Sequence, residues 1–126
     1  KPQNGKNKPF MVGLLNDAMV RYYNLFDRDA RILPSIKKSA DYMWANDWDA
    51  NKQAFRYLTG EGEGQPDLNN LIVSGYGFVY QQTRDVTYKT RGDAAFASGV
   101  AGAWYNGSKQ FNEVYHNSFR YVTMRQ

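Results

Sequence analysis

Two carboxylates flank a tryptophan in the run Asn46-Asp47-Trp48-Asp49, where the residue types come closest to a catalytic pattern. Hydrolysis of a glycosidic bond uses two carboxyl groups about 5–10 Å apart across the bond, and an indole ring stacks on the apolar face of a sugar. Asp47 and Asp49 are therefore candidate catalytic residues. Further acidic residues follow in the same stretch, at Glu61, Glu63 and Asp67. The alternative is structural: one Asp caps a turn, and Trp48 packs against the core.

The third candidate catalytic residue is His116, the single histidine of the chain. On a helix, Asn112, His116 and Arg120 share one face because they are four residues apart. In a polysaccharide lyase, an amide or Arg neutralises the uronate carboxylate while a His or Tyr removes the C5 proton. The alternative is that these polar side chains form the solvated side of a helix whose other side is apolar. That apolar side would contain Phe111, Tyr115, Phe119 and Val122.

Ligand binding without catalysis needs only rings to stack on a sugar and polar groups to pair with it. Aromatic residues make up 16% of the chain, and most must fill a core, but so many rings leave several for the surface. We expect the ligand-binding side chains to be Trp44, Trp48, Tyr57 and Arg120, and the ligand to be a polysaccharide or oligosaccharide.

The rest of the composition excludes several kinds of site. The chain has no Cys and one His, which excludes disulfides, thiolate chemistry and a metal site built on several histidines; we predict no metal and no cofactor. The net charge of +4 suits either an acidic polymer or an ordinary solvated surface. Because the basic residues are scattered, apart from Lys37-Lys38, nucleic acid is not favoured. No stretch approaches the roughly 20 apolar residues of a membrane span.

Apolar residues recur at helical spacing in five stretches, which predicts an all-α chain of antiparallel helical hairpins. The first stripe is Met11, Leu14, Leu15, Ala18, Met19, Tyr22 and Phe26. Pro34 suits the first turn of the second helix, and Asp67 suits the N-cap of the third. Residues 46–66 lose periodicity, with a short strand allowed at 54–58. Gly75, Gly92 and Gly99 on apolar faces suggest closely packed helices. We expect a linker at 1–9 and a single helical domain at 10–126.

Two segments resemble the helical hairpins of α/α-toroid (six-hairpin glycosidase-like) proteins. The first runs from Asp67 through Tyr80-Gln81-Gln82-Thr83-Arg84-Asp85-Val86-Thr87-Tyr88, and the second from Asp27 to Trp44. In that family a Thr-Gly-Asp-like turn joins the two helices, and here Arg84 replaces the usual Gly. Many members are glycoside hydrolases or polysaccharide lyases, so the resemblance implies a link to glycans. A complete toroid has more helices than this chain supplies.

Taken together, the sequence predicts a non-catalytic, glycan-linked accessory or binding domain of a larger exported polysaccharide-active protein. Its expected location is secreted or at the cell surface. Two alternatives stay open. One is a structural or self-assembly helical domain, whose exposed aromatic residues anchor an interface with copies of itself or with a neighbouring domain of the parent protein. The other is a fragment of a glycoside hydrolase or polysaccharide lyase, with Asp47, Asp49 or His116 in a pocket.

Overall fold

The computed structural model describes residues 5–103 and 108–126. Within this part of the chain, the α-helices are α1 (Pro9–Leu25), α2 (Ile32–Asp47), α3 (Val73–Thr83), α4 (Val86–Ala101) and α5 (Ser108–Met124). Between α2 and α3 come three antiparallel strands, β1 (Trp48–Asp49), β2 (Ala54–Leu58) and β3 (Glu61–Gly64), and then a 3₁₀ helix at Pro66–Leu71. The predicted mainly helical fold is confirmed. The sheet corrects the all-α prediction.

Helix α3 lies at the centre of the fold. Residues 73–79 are all buried, and α3 contacts each of the other four α-helices. These seven residues, VSGYGFV, are shielded on every side of the helix, which explains why none of them is charged.

Glycines on α3 and α4 let neighbouring helices approach closely. The buried ring of Tyr121 on α5 fits against Gly77 and Gly92, where an added Cβ would lie 2.9 Å and 2.4 Å from its atoms. Gly75 lies against side chains of α1 and α2, and Gly99 against the 3₁₀ helix. The predicted close packing at Gly75, Gly92 and Gly99 is therefore confirmed.

The sheet fills much of the stretch that lacks helical periodicity, and β2 confirms the strand allowed at 54–58. Trp48 pairs with Phe55 across β1 and β2, and Gly60, with φ of 73°, turns the chain from β2 into β3. Asn69 of the 3₁₀ helix fixes the sheet to the helices. Its Oδ1 accepts the Phe55 N–H, and its amide donates to the carbonyls of Gln53 and Ala95, all at 3.0 Å.

The helix ends agree in part with those predicted from the sequence. Pro34 lies in the first turn of α2, and the Asp85 side chain caps α4 by accepting the Thr87 N–H at 2.9 Å. Asp67 does not cap an α-helix, because its stretch folds as a 3₁₀ helix and α3 begins at Val73. Of the segment expected as a linker, residues 1–4 lie outside the described residues, and the Asn7 carbonyl accepts the Thr59 N–H at 3.0 Å.

Candidate functional site

A group of aromatic and charged side chains lies where α2, α4 and β1 meet. On α2, Lys37, Asp41 and Trp44 share one face because they are separated by four and three residues. On α4, Tyr88 and Arg91 face them, so that residues about 50 positions apart in sequence come into contact. We call this group the aromatic–cation cluster; its members are Lys37, Asp41, Trp44, Trp48, Tyr88 and Arg91.

The two tryptophans form the aromatic part of the cluster. Their rings are stacked, with centroids 4.2 Å apart and an angle of 18° between their planes. The buried ring of Phe55 packs edge-on against Trp48, with centroids 5.0 Å apart. Both indoles are half-buried, which leaves part of each at the surface while the core holds them in place.

Three donors converge on one carboxylate in the charged part of the cluster. The Tyr88 hydroxyl donates to Asp41 Oδ1 at 2.7 Å, Arg91 Nη1 donates to the same oxygen at 3.2 Å, and Lys37 Nζ donates to Oδ2 at 3.1 Å. The Arg91 guanidinium also lies over the Trp44 ring, 5.2 Å from its centroid. These contacts hold the planar, multiply donating Arg91 head group beside the indole pair.

The pKa values of Asp41 and Lys37 keep both side chains charged at neutral pH. Burial opposes ionisation of Asp41, but hydrogen bonds from Tyr88 and Lys37, with the charges of Lys37 and Arg91, outweigh it and lower the pKa of Asp41. Hydrogen bonding with Tyr88 and Asp41 raises the pKa of Lys37 to about 12. With two cations and one carboxylate, the cluster carries a net positive charge.

The acidic candidates Asp47 and Asp49 do not form an open pair. Asp47 is fully shielded from solvent, neither of its carboxyl oxygens has a hydrogen bond of ordinary geometry, and burial raises its pKa despite the nearby Thr59 hydroxyl and Arg56 charge. The Asp49 carboxylate accepts backbone N–H groups, including those of Asn51 and Gly64, both at 3.0 Å. Its pKa is lowered, first by the Gly64 bond. Asp49 thus holds the β1–β2 turn to β3.

The remaining predicted residues lie in separate places. Tyr57 is exposed on β2 and stacks on Phe10, with ring centroids 5.4 Å apart. His116 is exposed on α5, and Arg120 Nη2 donates to buried Asp17 on α1 at 2.9 Å. The side chain of Asn112 lies outside the described residues, as does that of Phe111. Among the described residues, no three His, Asp or Glu side chains are grouped as a metal site would require.

A groove of about 280 Å³ runs between the start of α1 and the side of α2 that faces away from Lys37 and Trp44. It is slightly smaller than the roughly 300–1,000 Å³ usual for ligand sites. Its lining residues are Asn7, Val12, Ser35, Lys38, Ser39, Tyr42 and Met43. Because it offers one ring and one cation, it brings fewer recognition groups together than the aromatic–cation cluster does.

Sequence reasoning identified Trp44 and Trp48 but missed Lys37, Asp41, Tyr88 and Arg91. The spacing of 37, 41 and 44 on a helix was a local signal that could have linked the first two to Trp44. No local signal links α2 to Tyr88 and Arg91, because their contact depends on how α4 packs.

In the described part of the chain, no helix is both long and apolar enough to cross a membrane. Comparisons with protein-family models, with curated proteins and with solved structures gave no match to this chain.

Proposed function

We propose that this chain is a non-catalytic glycan-binding domain of a larger exported polysaccharide-active protein, and that its ligand is an acidic polysaccharide. The observation that carries the proposal is the aromatic–cation cluster, in which Arg91 and Lys37 lie beside the stacked pair Trp44 and Trp48. The expected membership of the α/α-toroid class, many of whose proteins act on glycans, is part of the proposal. A location outside the cell is part of the proposal.

The chemistry of the cluster suits a sugar acid. The exposed parts of the two indoles provide an apolar surface for the C–H groups of a pyranose ring. A guanidinium binds a carboxylate through paired N–H groups, and an ammonium adds a second positive charge. Asp41 already binds these cations in the free protein, so it holds their head groups in place before a ligand arrives.

Catalysis is not supported by the positions of the acidic candidates. Asp47 has no exposed surface with which to reach a glycosidic bond, and the Asp49 carboxylate is occupied by backbone N–H groups. The arginine expected to neutralise a uronate in a lyase, Arg120, lies on α5 against Asp17 of α1, outside the aromatic–cation cluster. A binding role needs none of these residues to be free.

Affinity electrophoresis in gels that contain alginate or polygalacturonate tests the proposal. The wild-type chain should be retarded by these polyuronates and not by dextran. Retardation should weaken as ionic strength rises from about 0.05 M to about 0.5 M, since salt screens exposed charges. Losing one charge-assisted contact is worth about 1.5–3 kcal/mol, so Arg91→Gln should weaken binding by roughly 10- to 100-fold.

Lys37 and Lys38 provide a matched pair of variants. Both are exposed on α2, but Lys37 belongs to the cluster and Lys38 lines the groove on the other side of the helix. Lys37→Gln should reduce retardation, whereas Lys38→Gln, which removes the same charge, should reduce it much less. Equal losses would mean that only net charge matters, and a larger loss for Lys38→Gln would move the site to the groove.

A structural or self-assembly role is the second candidate function. It is favoured by six large apolar side chains that α1 and its C-cap expose to solvent. Contiguous exposed apolar surface of this kind usually marks a contact with another protein.

A further inference from the structure

One side of α1 exposes large apolar side chains along the length of the helix. These side chains are between 37 and 80% exposed, and Arg21, whose side chain is 39% exposed and pairs with Asp17, borders them. Helical periodicity places them on one side of the helix, with exposed Ala18 in the middle. The stacking of Phe26 on Tyr22 keeps this side continuous past the last helical residue. We call this surface the α1 outer face; it consists of Met11, Leu14, Leu15, Ala18, Tyr22, Leu25 and Phe26.

The opposite side of α1 explains why the apolar side faces outward. Gly13 packs directly on the 3₁₀ helix, where an added Cβ would lie 2.5 Å from the Leu71 carbonyl oxygen. The Asn16 amide donates to the Ser39 hydroxyl on α2 at 2.9 Å, and buried Asp17 pairs with Arg120 on α5. These contacts fix the rotation of α1 about its axis, so its apolar stripe cannot turn into the core.

The area of the α1 outer face suits a stable interface. Taking about 200 Å² for a fully exposed large side chain, its six large residues expose roughly 700 Å² of side-chain surface. A standard protein–protein interface buries about 800 Å² on each partner, and the largest apolar patch of an ordinary monomer is about 300–600 Å².

The spacing of the residues favours a second copy of this chain as the partner. Met11 and Leu25 lie seven residues before and after Ala18, and Leu14 and Tyr22 lie four residues before and after it. In an antiparallel pair of α1 helices with its two-fold axis at Ala18, these four large side chains of one copy meet their counterparts on the other, and Leu15 comes opposite the stem of Arg21. A small residue at the crossing point allows close approach of the two helices.

We infer that two copies of this chain associate through their α1 outer faces in an antiparallel, two-fold symmetric dimer centred on Ala18. The face is self-complementary, as a two-fold interface must be, and its lack of charge avoids repulsion between identical groups. Antiparallel helices also place the positive end of one helix dipole beside the negative end of the other. The inference does not depend on glycan binding.

Sedimentation equilibrium of the chain from low to high micromolar concentration tests the dimer. The mass should rise from that of the 14.5 kDa chain to twice that value. Ala18→Glu puts two carboxylates against each other at the symmetry axis and should keep the mass at the monomer value. Ala97→Glu, at an exposed alanine on α4, should still dimerise. A monomer at every concentration, or equal behaviour of the two variants, would overturn the inference.

A disulfide at the symmetry axis gives a second test. The chain has no Cys of its own, so no native thiol can compete with the introduced one. Packed helices lie about 8–10 Å apart, so the two Ala18 Cα atoms should be about 4–6 Å apart, within the range that a disulfide spans. Under mild oxidation, Ala18→Cys should form a covalent dimer several-fold faster than Ala97→Cys. Equal rates would contradict the proposed axis even if the chain dimerises.

Discussion

Replacing Asn69 by Ala should destabilise the fold strongly, because this one side chain joins the sheet to α4. Its amide oxygen accepts the N–H of fully buried Phe55, and its amide nitrogen donates to the carbonyls of Gln53 and Ala95. Alanine removes all three hydrogen bonds at once. Phe55 packs against Trp48, so the loss should also loosen the aromatic part of the cluster.

The magnitude follows from the groups that lose their partners. A buried donor without an acceptor costs about 1–3 kcal/mol, and the Phe55 N–H is such a donor in Asn69→Ala. Ala95 lies within α4 and Gln53 is exposed, so losing the hydrogen bonds to their carbonyls should cost less free energy. We expect a total loss of about 2–4 kcal/mol, which is a large share of the about 5–15 kcal/mol that stabilises a typical domain.

Urea unfolding followed by circular dichroism measures this loss. With a slope of about 2 kcal/mol per M, the midpoint should fall by roughly 1–2 M. Asn46→Ala is the matched control, because the Asn46 amide donates to the Tyr42 carbonyl at an exposed position. Its free energy of unfolding should change by no more than about 0.5 kcal/mol. Equal midpoints for the two variants would refute the role assigned to Asn69.

Three further predictions concern the stability of the fold, at a buried carboxyl group, a left-handed residue and a closely packed glycine. Burial raises the pKa of Asp47, so the folded state holds that proton more tightly and ionisation above about pH 4 destabilises it. Asp47→Asn should therefore be more stable than wild type at pH 7, with the gain vanishing near pH 3 in pH-dependent melting. Arg84 has φ of 59°, so Arg84→Gly should raise stability by about 0.5–1 kcal/mol in urea unfolding, and a loss would contradict this reasoning. Gly92→Ala should lower stability by about 1–3 kcal/mol despite the better helix propensity of Ala, because its Cβ would overlap Tyr121; an unchanged melting temperature would contradict the close packing.

The helices were predictable because apolar spacing and end signals act locally. Pro34 marked the first turn of α2, and the segment around Asp85 marked the turn before α4. The strand at 54–58 was predictable from the loss of helical periodicity around it. The pairing of β2 with β1 and β3 was not, because it depends on turns at residues such as Gly60 and on the amide of Asn69.

The rotation of α1 could not be predicted from its own sequence. The stripe that begins at Met11 predicts a helix, and α1 confirms it, but most of that stripe faces solvent. What the helix buries instead, Asn16 and Asp17 among others, depends on Ser39 and Arg120, which lie on other helices. The contact of Tyr88 and Arg91 with α2 was hidden for the same reason.

The most direct test of the glycan proposal is an NMR titration of the indole N–H signals with oligomers of a uronic acid. The signal of Trp48, assigned by comparison with Trp48→Phe, should shift in a saturable way, together with the amide signals of Lys37 and Arg91. The amide of Phe119, on the outer side of α5, should not move. Indole and amide signals that stay in place up to millimolar oligomer would contradict the proposal that this cluster binds an acidic glycan.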